Sequence, residues 1–257
     1  MIEIERTDPR LRRLLDEERI PTVMIRGELD LAGEKSRRIF LDDPDYPGGM
    51  LVIGDWVKIH ARYPEALEHL LPALEGMNEI SVSAVNPWIR DRLAQEWAFS
   101  WETRCWLWYL ESSELDIPSL IHSPQPLRPE DAALVNRHWE HGDENSVEYI
   151  RWRIREGPSF AVFQEGEPVS WCLVHWDEAM GPAFTLPQAR HKGYAASITV
   201  ALVQDLLGRG RIPYLNTLQE NMAPQRLADR LGFRRWGDVC WLGAKRIESS
   251  DRSKQED

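Results

Sequence analysis

The 257-residue sequence is poor in cysteine, in basic residues and in long apolar runs, and each shortage narrows the class of protein. Three scattered cysteines argue against a disulfide framework and favour reduced thiols in a cytoplasmic protein. No run approaches the roughly 18 apolar residues of a membrane span, so we expect no membrane partner. The 31 Lys and Arg against 42 Asp and Glu give a net charge of −11, which opposes a large nucleic-acid-binding face.

The rest of the composition is that of a globular α/β protein with room for two domains. Strand patterns alternate with helix patterns in both halves, and the proline-rich stretch 118–129 is typical of a linker. We therefore predict an N-terminal α/β domain at 1–122, a second domain at 123–247 and a charged tail at 248–257. The twelve tryptophans either fill the cores or line an acceptor pocket.

In the first domain, the apolar pattern predicts a polar helix over residues 1–20 and a short strand at Val23–Ile25. The other elements predicted there are strands at 38–41, 50–53, 56–61, 79–85 and 105–110 and helices at 64–74 and 87–97. This half carries no glycine-rich phosphate turn, and we expect it to be structural.

The second domain contains a strand whose prolines set it apart. Its other predicted elements are helices at 132–139, 146–155 and 195–207 and strands at 159–164, 169–175, 212–218 and 236–242, the last of which would close the sheet. The strand after 169–175 contains Pro182 and ends at Pro187. Proline cannot donate to a ladder, so we expect this strand to be poorly paired and to leave backbone groups free for a ligand.

A basic turn with a glycine joins that strand to the helix at 195–207. It reads Arg190-His191-Lys192-Gly193-Tyr194-Ala195. The first N–H groups of a helix lack intrahelical partners, and the helix dipole adds positive character there. Gly193 lets the backbone approach a bulky phosphate, and Arg190 and Lys192 add charge. The turn predicts a phosphate or pyrophosphate site without naming the molecule.

The same residues resemble the Arg/Gln-x-x-Gly-x-Gly/Ala signature of the GNAT acyltransferase superfamily. The segment from Asn221 to Phe233 resembles the superfamily's Asn-helix-Leu-Gly-Phe segment, and residues 133–139, 167–173 and 185–187 are similar to glycine N-acyltransferase-like members. The resemblance, which extends from about Leu127 to Leu242, implies a GNAT fold with a mixed central sheet, splayed strands and flanking helices. For the N-terminal half it implies a second, degenerate GNAT-like α/β domain.

The resemblance also implies N-acyl transfer from acetyl-CoA or another acyl-CoA, without a metal, to a small-molecule amine or amino-acid-like acceptor, and no nucleic-acid partner. The cofactor contacts that it implies are Phe184, Thr185, Leu186, Arg190, His191, Lys192, Gly193, Tyr194, Ala195, Asn221 and Arg226. Two of these have ordinary alternatives: Asn221 as the N-cap of the following helix and Arg226 as a solvated surface side chain.

Acyl transfer to an amine needs a group that takes the amine proton and a donor for the developing oxyanion. Glu178 matches, within one residue, the acidic position at which glycine N-acyltransferases carry their proposed base, and His175 is a second candidate. The oxyanion donor is expected to be a backbone N–H of Phe184 to Leu186. The loop at 139–146, which in the family shapes the acceptor pocket, would face the amine with its acids or simply be solvated.

One position departs from the wider superfamily. Many members carry a tyrosine in the last helix that protonates the departing thiolate, and this sequence has Ala228 there. Cys172 and Cys240 are expected to be inert core thiols, and His138-x-x-His141 lacks a third ligand for a metal. The alternatives to catalysis are a non-catalytic CoA-binding or protein-interaction module and an ordinary nucleotide-binding protein.

Overall fold

The computed structural model describes residues 1–31, 37–111 and 121–247, and the chain divides into two compact units. The first unit comprises residues 1–107 and 236–257, and the second comprises residues 108–235. These units differ from the predicted domains 1–122 and 123–247 chiefly in the last strand, which runs on into the first unit. The predicted tail at 248–257 lies outside the described residues.

The first unit is built on one mixed sheet. Its strands are β1 (Ile2–Ile4), β2 (Arg38–Leu41), β3 (Gly49–Ile53), β4 (Val57–Ala61), β5 (Glu79–Val85), most of β6 (Trp97–Tyr109) and most of β12 (Arg234–Arg246). Its helices are α1 (Pro9–Glu17), α2 (Val23–Leu31), α3 (Pro64–Leu70), which a 3-10 turn extends to Leu74, and α4 (Pro87–Leu93). The strand order is β1-β2-β3-β4-β5-β12-β6. The pair β4–β5 is parallel, and the other pairs with a defined register are antiparallel.

Helices cover both faces of this sheet, as the burial along β3 demonstrates. Met50 and Val52 point to a core shared with α1 and α2, whereas Leu51 points to a core shared with α3 and α4. Successive side chains of a strand alternate between faces, so a strand that is apolar at every position is buried on both sides. The predicted α/β layering of this half is confirmed.

Four local predictions for this half need correction. The strand predicted at 105–110 begins at Trp97, as β6, and the helix predicted at 87–97 ends at Leu93. Val23–Ile25 is not a strand but the first turn of α2, because Ile25 and Leu29 lie one helical turn apart and pack into the same core. Residues 1–20 are not one helix, since Ile2–Ile4 pairs with β2 before α1 begins at Pro9, behind the capping carboxylate of Asp8.

The second unit contains a four-stranded antiparallel sheet in the order β10-β9-β8-β7. Its strands are β7 (Gln125–Pro126), β8 (Ser159–Gln164), β9 (Glu167–Val174) and β10 (Met180–Thr185), with β11 (Tyr214–Leu218) beside the end of β6. Its helices are α5 (Ala132–Arg137), α6 (Ser146–Glu156), α7 (Tyr194–Gly208) and α8 (Met222–Arg230). Each element predicted between 132 and 218 is present within a few residues of its expected bounds.

Strand β10 is an edge strand of that sheet, and β11 belongs to a different sheet. The two strands approach each other without being hydrogen-bonded neighbours, which leaves a gap between them. The register of β10 on β9 also shifts between Met180 and Ala183, around Pro182. The strand is therefore unpaired on one edge and irregular around Pro182, as predicted, but it is paired with β9 from Ala183 to Thr185, and Pro187 lies beyond its end.

Strand β12 corrects one further prediction. We expected residues 236–242 to close the second domain's sheet, but Cys240–Lys245 pair with β5 of the first unit. Leu242 and Ala244 are buried in that unit's core. Among the described residues, no helix is both long and apolar enough to cross a membrane.

Candidate functional site

The turn before α7 has the geometry that the basic motif predicts. Gly193 is the N-cap residue in the left-handed conformation, with φ 83°, and α7 begins at Tyr194. The Ser197 N–H donates to the Gly193 carbonyl over 3.1 Å, which is the first i→i−4 bond of the helix. The N–H groups of residues 194–196, which come before Ser197 in the helix, are the ones that would donate to an anion at the helix end.

A Cβ at position 193 would be in ordinary van der Waals contact with its neighbours. A Cβ placed there would lie 3.6 Å from Ile121 Cδ1 and 3.8 Å from His122 Nε2. His122 is itself held against the turn, since its Nε2 lies 2.7 Å from the Lys192 carbonyl oxygen and its N–H donates to Ser197 Oγ over 3.3 Å. A side chain at 193 would therefore meet a fixed neighbour and a strained backbone at once.

The basic side chains of the motif differ in how they are placed. His191 and Lys192 are exposed, and so is Ala195. The Arg190 Nε donates to the Thr185 carbonyl over 3.2 Å, which ties the turn to the end of β10. Tyr194 is only 9% exposed and its hydroxyl accepts from Gln164 Nε2 over 2.8 Å, so only its amide faces the helix end.

The hydrogen bonds of β10 show which of the predicted backbone contacts Phe184, Thr185 and Leu186 face β9 and which faces the gap. Leu186 N–H donates to the Val169 carbonyl over 2.9 Å, and Phe184 is in register with Trp171. Since the direction of backbone groups alternates along a strand, Phe184 also points its N–H toward β9. Thr185 and Ala183 then point theirs toward the gap beside β11. The predicted oxyanion donor among residues 184–186 is therefore narrowed to Thr185.

Phe184 belongs to an aromatic cluster. His138 stacks on its ring with centroids 4.5 Å apart and planes 21° apart, and Trp171 lies 5.5 Å away. Trp171 is 2% exposed and fills the core of the second unit. His138 is thus a packing residue, and the described residues contain no group of three His, Cys, Asp or Glu side chains suited to a metal.

Both candidate bases lie at the turn between β9 and β10. Glu178 is 8% exposed, has a positive φ of 74° and forms an ion pair in which Arg211 Nε lies 3.0 Å from Glu178 Oε1. Its N–H donates to the His175 carbonyl over 3.0 Å. The guanidinium stabilises the carboxylate, which is the form that accepts a proton.

His175 is in a different state from Glu178. Its Nδ1 lies 2.8 Å from the Tyr149 hydroxyl. Burial lowers the pKa of His175, with Asp177 opposing that effect, and burial also raises the pKa of Tyr149. Both groups are therefore neutral near pH 7, and a neutral imidazole can accept a proton.

The segment from β11 to α8 includes one residue whose role the sequence did not reveal. Asn221 occupies the N-cap position of α8 but makes no side-chain capping bond, and it is exposed, as is Arg226. Gln225 instead fastens the helix, because its Nε2 donates to the carbonyls of Leu218 and Gln219, each over 2.9 Å. The one sequence signal for this role of Gln225 is its position near the start of the predicted helix. Ala228, at the position of the superfamily's tyrosine, is buried at 2% exposure.

The remaining candidates have structural roles. All three cysteines are unpaired and buried, and burial raises the pKa of Cys172 to about 12 and that of Cys240 to about 11. Burial confirms that these are core thiols, and the raised pKa values agree with the prediction that they are inert. In the loop at 139–146, Asp143 accepts from the N–H groups of Asn145 and Ser146 over 2.9 Å each, so this acid stabilises the start of α6.

Residues 160–242 match the family model described as FR47-like protein. Glycine N-acyltransferase-like protein 2 of Homo sapiens is 31% identical over 115 residues, which are 44% of this chain and 37% of that relative. The match thus spans little more than a third of the relative's length.

Two solved structures are similar to nearly the whole chain. A Drosophila protein superposes with a TM-score of 0.74 at 15% identity, covering 96% of this chain and 98% of its own. A tandem GNAT protein from the clavulanic acid biosynthesis pathway superposes with a TM-score of 0.60 at 11% identity, with the same coverage. At such identities the likeness concerns the fold, and it extends over both units.

The chain has the fold of GNAT proteins. The predicted fold class, a GNAT domain preceded by a second GNAT-like domain, is confirmed by the likeness to a tandem GNAT protein. The residues that match the FR47-like family model, 160–242, contain the gap beside β10, the turn before α7 and helix α8.

Proposed function

We propose that the protein is an acyl-CoA-dependent N-acyltransferase that transfers an acyl group, most simply acetyl, to a small amine or amino-acid-like acceptor. The observation that carries the proposal is the combination of a splayed pair, β10 and β11, with an uncapped helix end at Gly193. A diphosphate requires the helix end, and an extended arm with amide groups requires an open strand edge. These two features adjoin in one unit.

The residues that would hold the cosubstrate follow from that geometry. The amides of residues 194–196 and the exposed Lys192 would receive the diphosphate, and Arg190 and His191 would add positive charge at its rim. The backbone groups of Ala183 and Thr185 would pair with the amide-bearing arm, while Phe184 and Leu186 would form the strand behind it. Asn221, free of a capping bond, and Arg226 would lie along the far side.

Acyl-CoA supplies an activated thioester carbonyl, and the chain supplies position, a proton acceptor and an oxyanion donor. Glu178 takes the proton of the amine as the new C–N bond forms and the C–S bond breaks, with His175 as the second candidate for this role. One of the two N–H groups that face the gap, that of Ala183 or that of Thr185, donates to the carbonyl oxygen as it gains negative charge, and the other pairs with the arm. A thiol with a pKa of about 8.5 can leave as the thiolate, so buried Ala228 does not prevent the reaction.

Calorimetry with acetyl-CoA, followed by an acceptor screen, tests the proposal. Wild-type protein should bind acetyl-CoA saturably, and Gly193→Glu should abolish binding because it forces a left-handed backbone on glutamate and adds a negative charge at the helix end. Glu178→Gln should bind normally and lose roughly 10²–10⁴-fold in turnover.

Gly210→Glu is the matched control for the binding measurement on Gly193→Glu. Gly210 also has a positive φ, 69°, but lies after α7 with no other group within 4 Å of its would-be Cβ. Gly210→Glu thus introduces the same backbone strain and the same charge at the C-terminal end of α7, and it should leave acetyl-CoA binding intact. Loss of binding in both variants, or normal turnover in Glu178→Gln, would contradict the respective assignment.

The acceptor screen separates catalysis from simple binding. A protein that binds acetyl-CoA but turns over no amine across a broad panel would be a CoA-binding module. Competition by ATP at comparable affinity would instead favour an ordinary nucleotide site.

A further inference from the structure

The turn between β9 and β10 is held by hydrogen bonds among its own residues. His175 N–H donates to the Ala179 carbonyl over 2.8 Å, and Ala179 N–H donates to Asp177 Oδ1 over 3.1 Å. Within this turn Glu178 adopts φ 74°, a conformation that costs free energy for a residue with a side chain. Such a conformation persists only where the surroundings hold it.

Two side chains contact this turn: that of Tyr214, the first residue of β11, and that of Arg211, which precedes the strand. The Tyr214 hydroxyl donates to the Asp177 carbonyl over 2.5 Å, and Tyr214 is fully buried. Arg211 Nε lies 3.0 Å from Glu178 Oε1. No strand ladder joins β10 to β11. The two contacts therefore connect the start of β11 to the turn that precedes β10.

The charges around Glu178 come from three elements. Arg211 precedes β11, the buried Arg153 projects from α6 and binds the Val174 carbonyl through Nε over 2.8 Å, and Asp177 lies next in the turn. Tyr149 and His175 complete the group. Arg211 contacts the Glu178 carboxylate directly, so its removal should change both the position and the proton affinity of that carboxylate.

We propose that Tyr214 and Arg211 are positioning residues, which fix the β9–β10 turn from the β11 side and set the place and basicity of the Glu178 carboxylate for the proposed acyl transfer. The inference rests on the proposed function for its catalytic part. Its structural part concerns the turn alone and can be measured without turnover.

The structural arm is amide hydrogen exchange in the turn. Tyr214→Phe removes only the hydroxyl, so the ring still fills its buried place, and exchange at Glu178 and Ala179 should accelerate roughly tenfold or more. Unchanged exchange in this variant would overturn the inference, whatever the enzyme activity.

The catalytic arm uses turnover and its pH profile. Tyr214→Phe should lower kcat roughly ten- to a hundredfold with the KM for acetyl-CoA within about twofold of wild type. Arg211→Met should move the acidic limb of the kcat/KM profile about one pH unit upward, because loss of a neighbouring cation makes a carboxylate protonate at higher pH. Arg211→Lys should restore the limb, since it keeps the charge.

Arg209→Met is the matched control, because Arg209 is exposed on the same connection and pairs with Asp205 instead. It should leave rate and pH profile as in wild type. A turn that loosens in Tyr214→Phe while kcat and the acidic limb stay unchanged in all variants would refute the positioning role. Absence of acetyl-CoA turnover in the wild type would refute the proposed function, and hydrogen exchange would still decide whether Tyr214 holds the turn.

Discussion

Two buried histidines show how single residues in this chain are held neutral. His175 meets the Tyr149 hydroxyl, whereas His60 on β4 lies 3.7 Å from Glu18 through its Nε2. Burial lowers the pKa of His60 to about 4, with Arg62 adding to that effect and Glu18 opposing it. His60 thus links the stability of the first unit to pH.

The free energy of unfolding should fall as pH decreases from about 6.5 to about 4. In that range the unfolded chain protonates His60 while the folded chain does not, because the folded pKa is the lower one. The loss from this residue should be about 3 kcal/mol over the range. Urea unfolding of wild type and His60→Gln at several pH values measures it, and parallel pH dependences of the two proteins would contradict it.

At the residue scale, the sequence was informative where a motif sets backbone geometry. Gly193 could be assigned to the helix N-terminus because few residues other than glycine adopt φ 83°. The partners of Glu178 and Asp177 could not be predicted from the sequence. Arg211 and Tyr214 lie more than thirty residues away, and no local pattern pairs them with the turn. The roles assigned to Glu178 and His175 stay predictions.

At the scale of elements, β10 combines two unlike edges. One edge pairs with β9 through Phe184 and Leu186, and the other faces the gap through Ala183 and Thr185. Pro182 and Pro187, which lack N–H groups, bracket the free edge. A ligand that extends along the gap would therefore find few donors, at defined positions.

Acetyl-CoA should slow amide exchange at Ala183 and Thr185 roughly tenfold or more, because the bound arm would take their hydrogen bonds. The amides of Phe184 and Leu186 already face β9 and should change little. Exchange measured with and without acetyl-CoA checks this, with Gly193→Glu as the non-binding control. Protection confined to Phe184 and Leu186 would show that the strand faces the other way.

Element prediction succeeded where burial is periodic and failed where partners are distant. Helix 146–155 was predicted well because its caps and apolar spacing are local. Val23–Ile25 looked like a strand because three apolar residues fit either period, and packing of Ile25 and Leu29 on the sheet decides for a helix. The alternation in 236–242 correctly indicated a strand, but alternation does not identify which neighbour a strand pairs with.

At the scale of the whole molecule, the two compact units are not consecutive pieces of chain. The first unit takes residues 236–247 from the far end, and β12 lies between β5 and β6 in its sheet. Cys240, Leu242 and Ala244 contribute to the core of that unit. The proline-rich stretch 118–129, whose first three residues lie outside the described residues, is therefore not a point at which two self-sufficient halves separate.

A chain that ends at Arg235 should fail to form a cooperatively folded first unit. Removing β12 deletes three buried core residues and a central ladder, and one buried leucine alone is worth about 2–5 kcal/mol against a typical total of about 5–15 kcal/mol. Urea unfolding followed by tryptophan fluorescence tests this, with a chain ending at Ile247 as the control. A sharp transition of normal amplitude in the shorter chain would contradict it.

The placement of β12 also has a consequence for synthesis on the ribosome. The residues of β5 and β6 have to wait without their shared neighbour until β12, Arg234–Arg246, has been made. While the intervening second unit is being synthesised, the edges of those two strands are exposed to chaperones and to premature pairing.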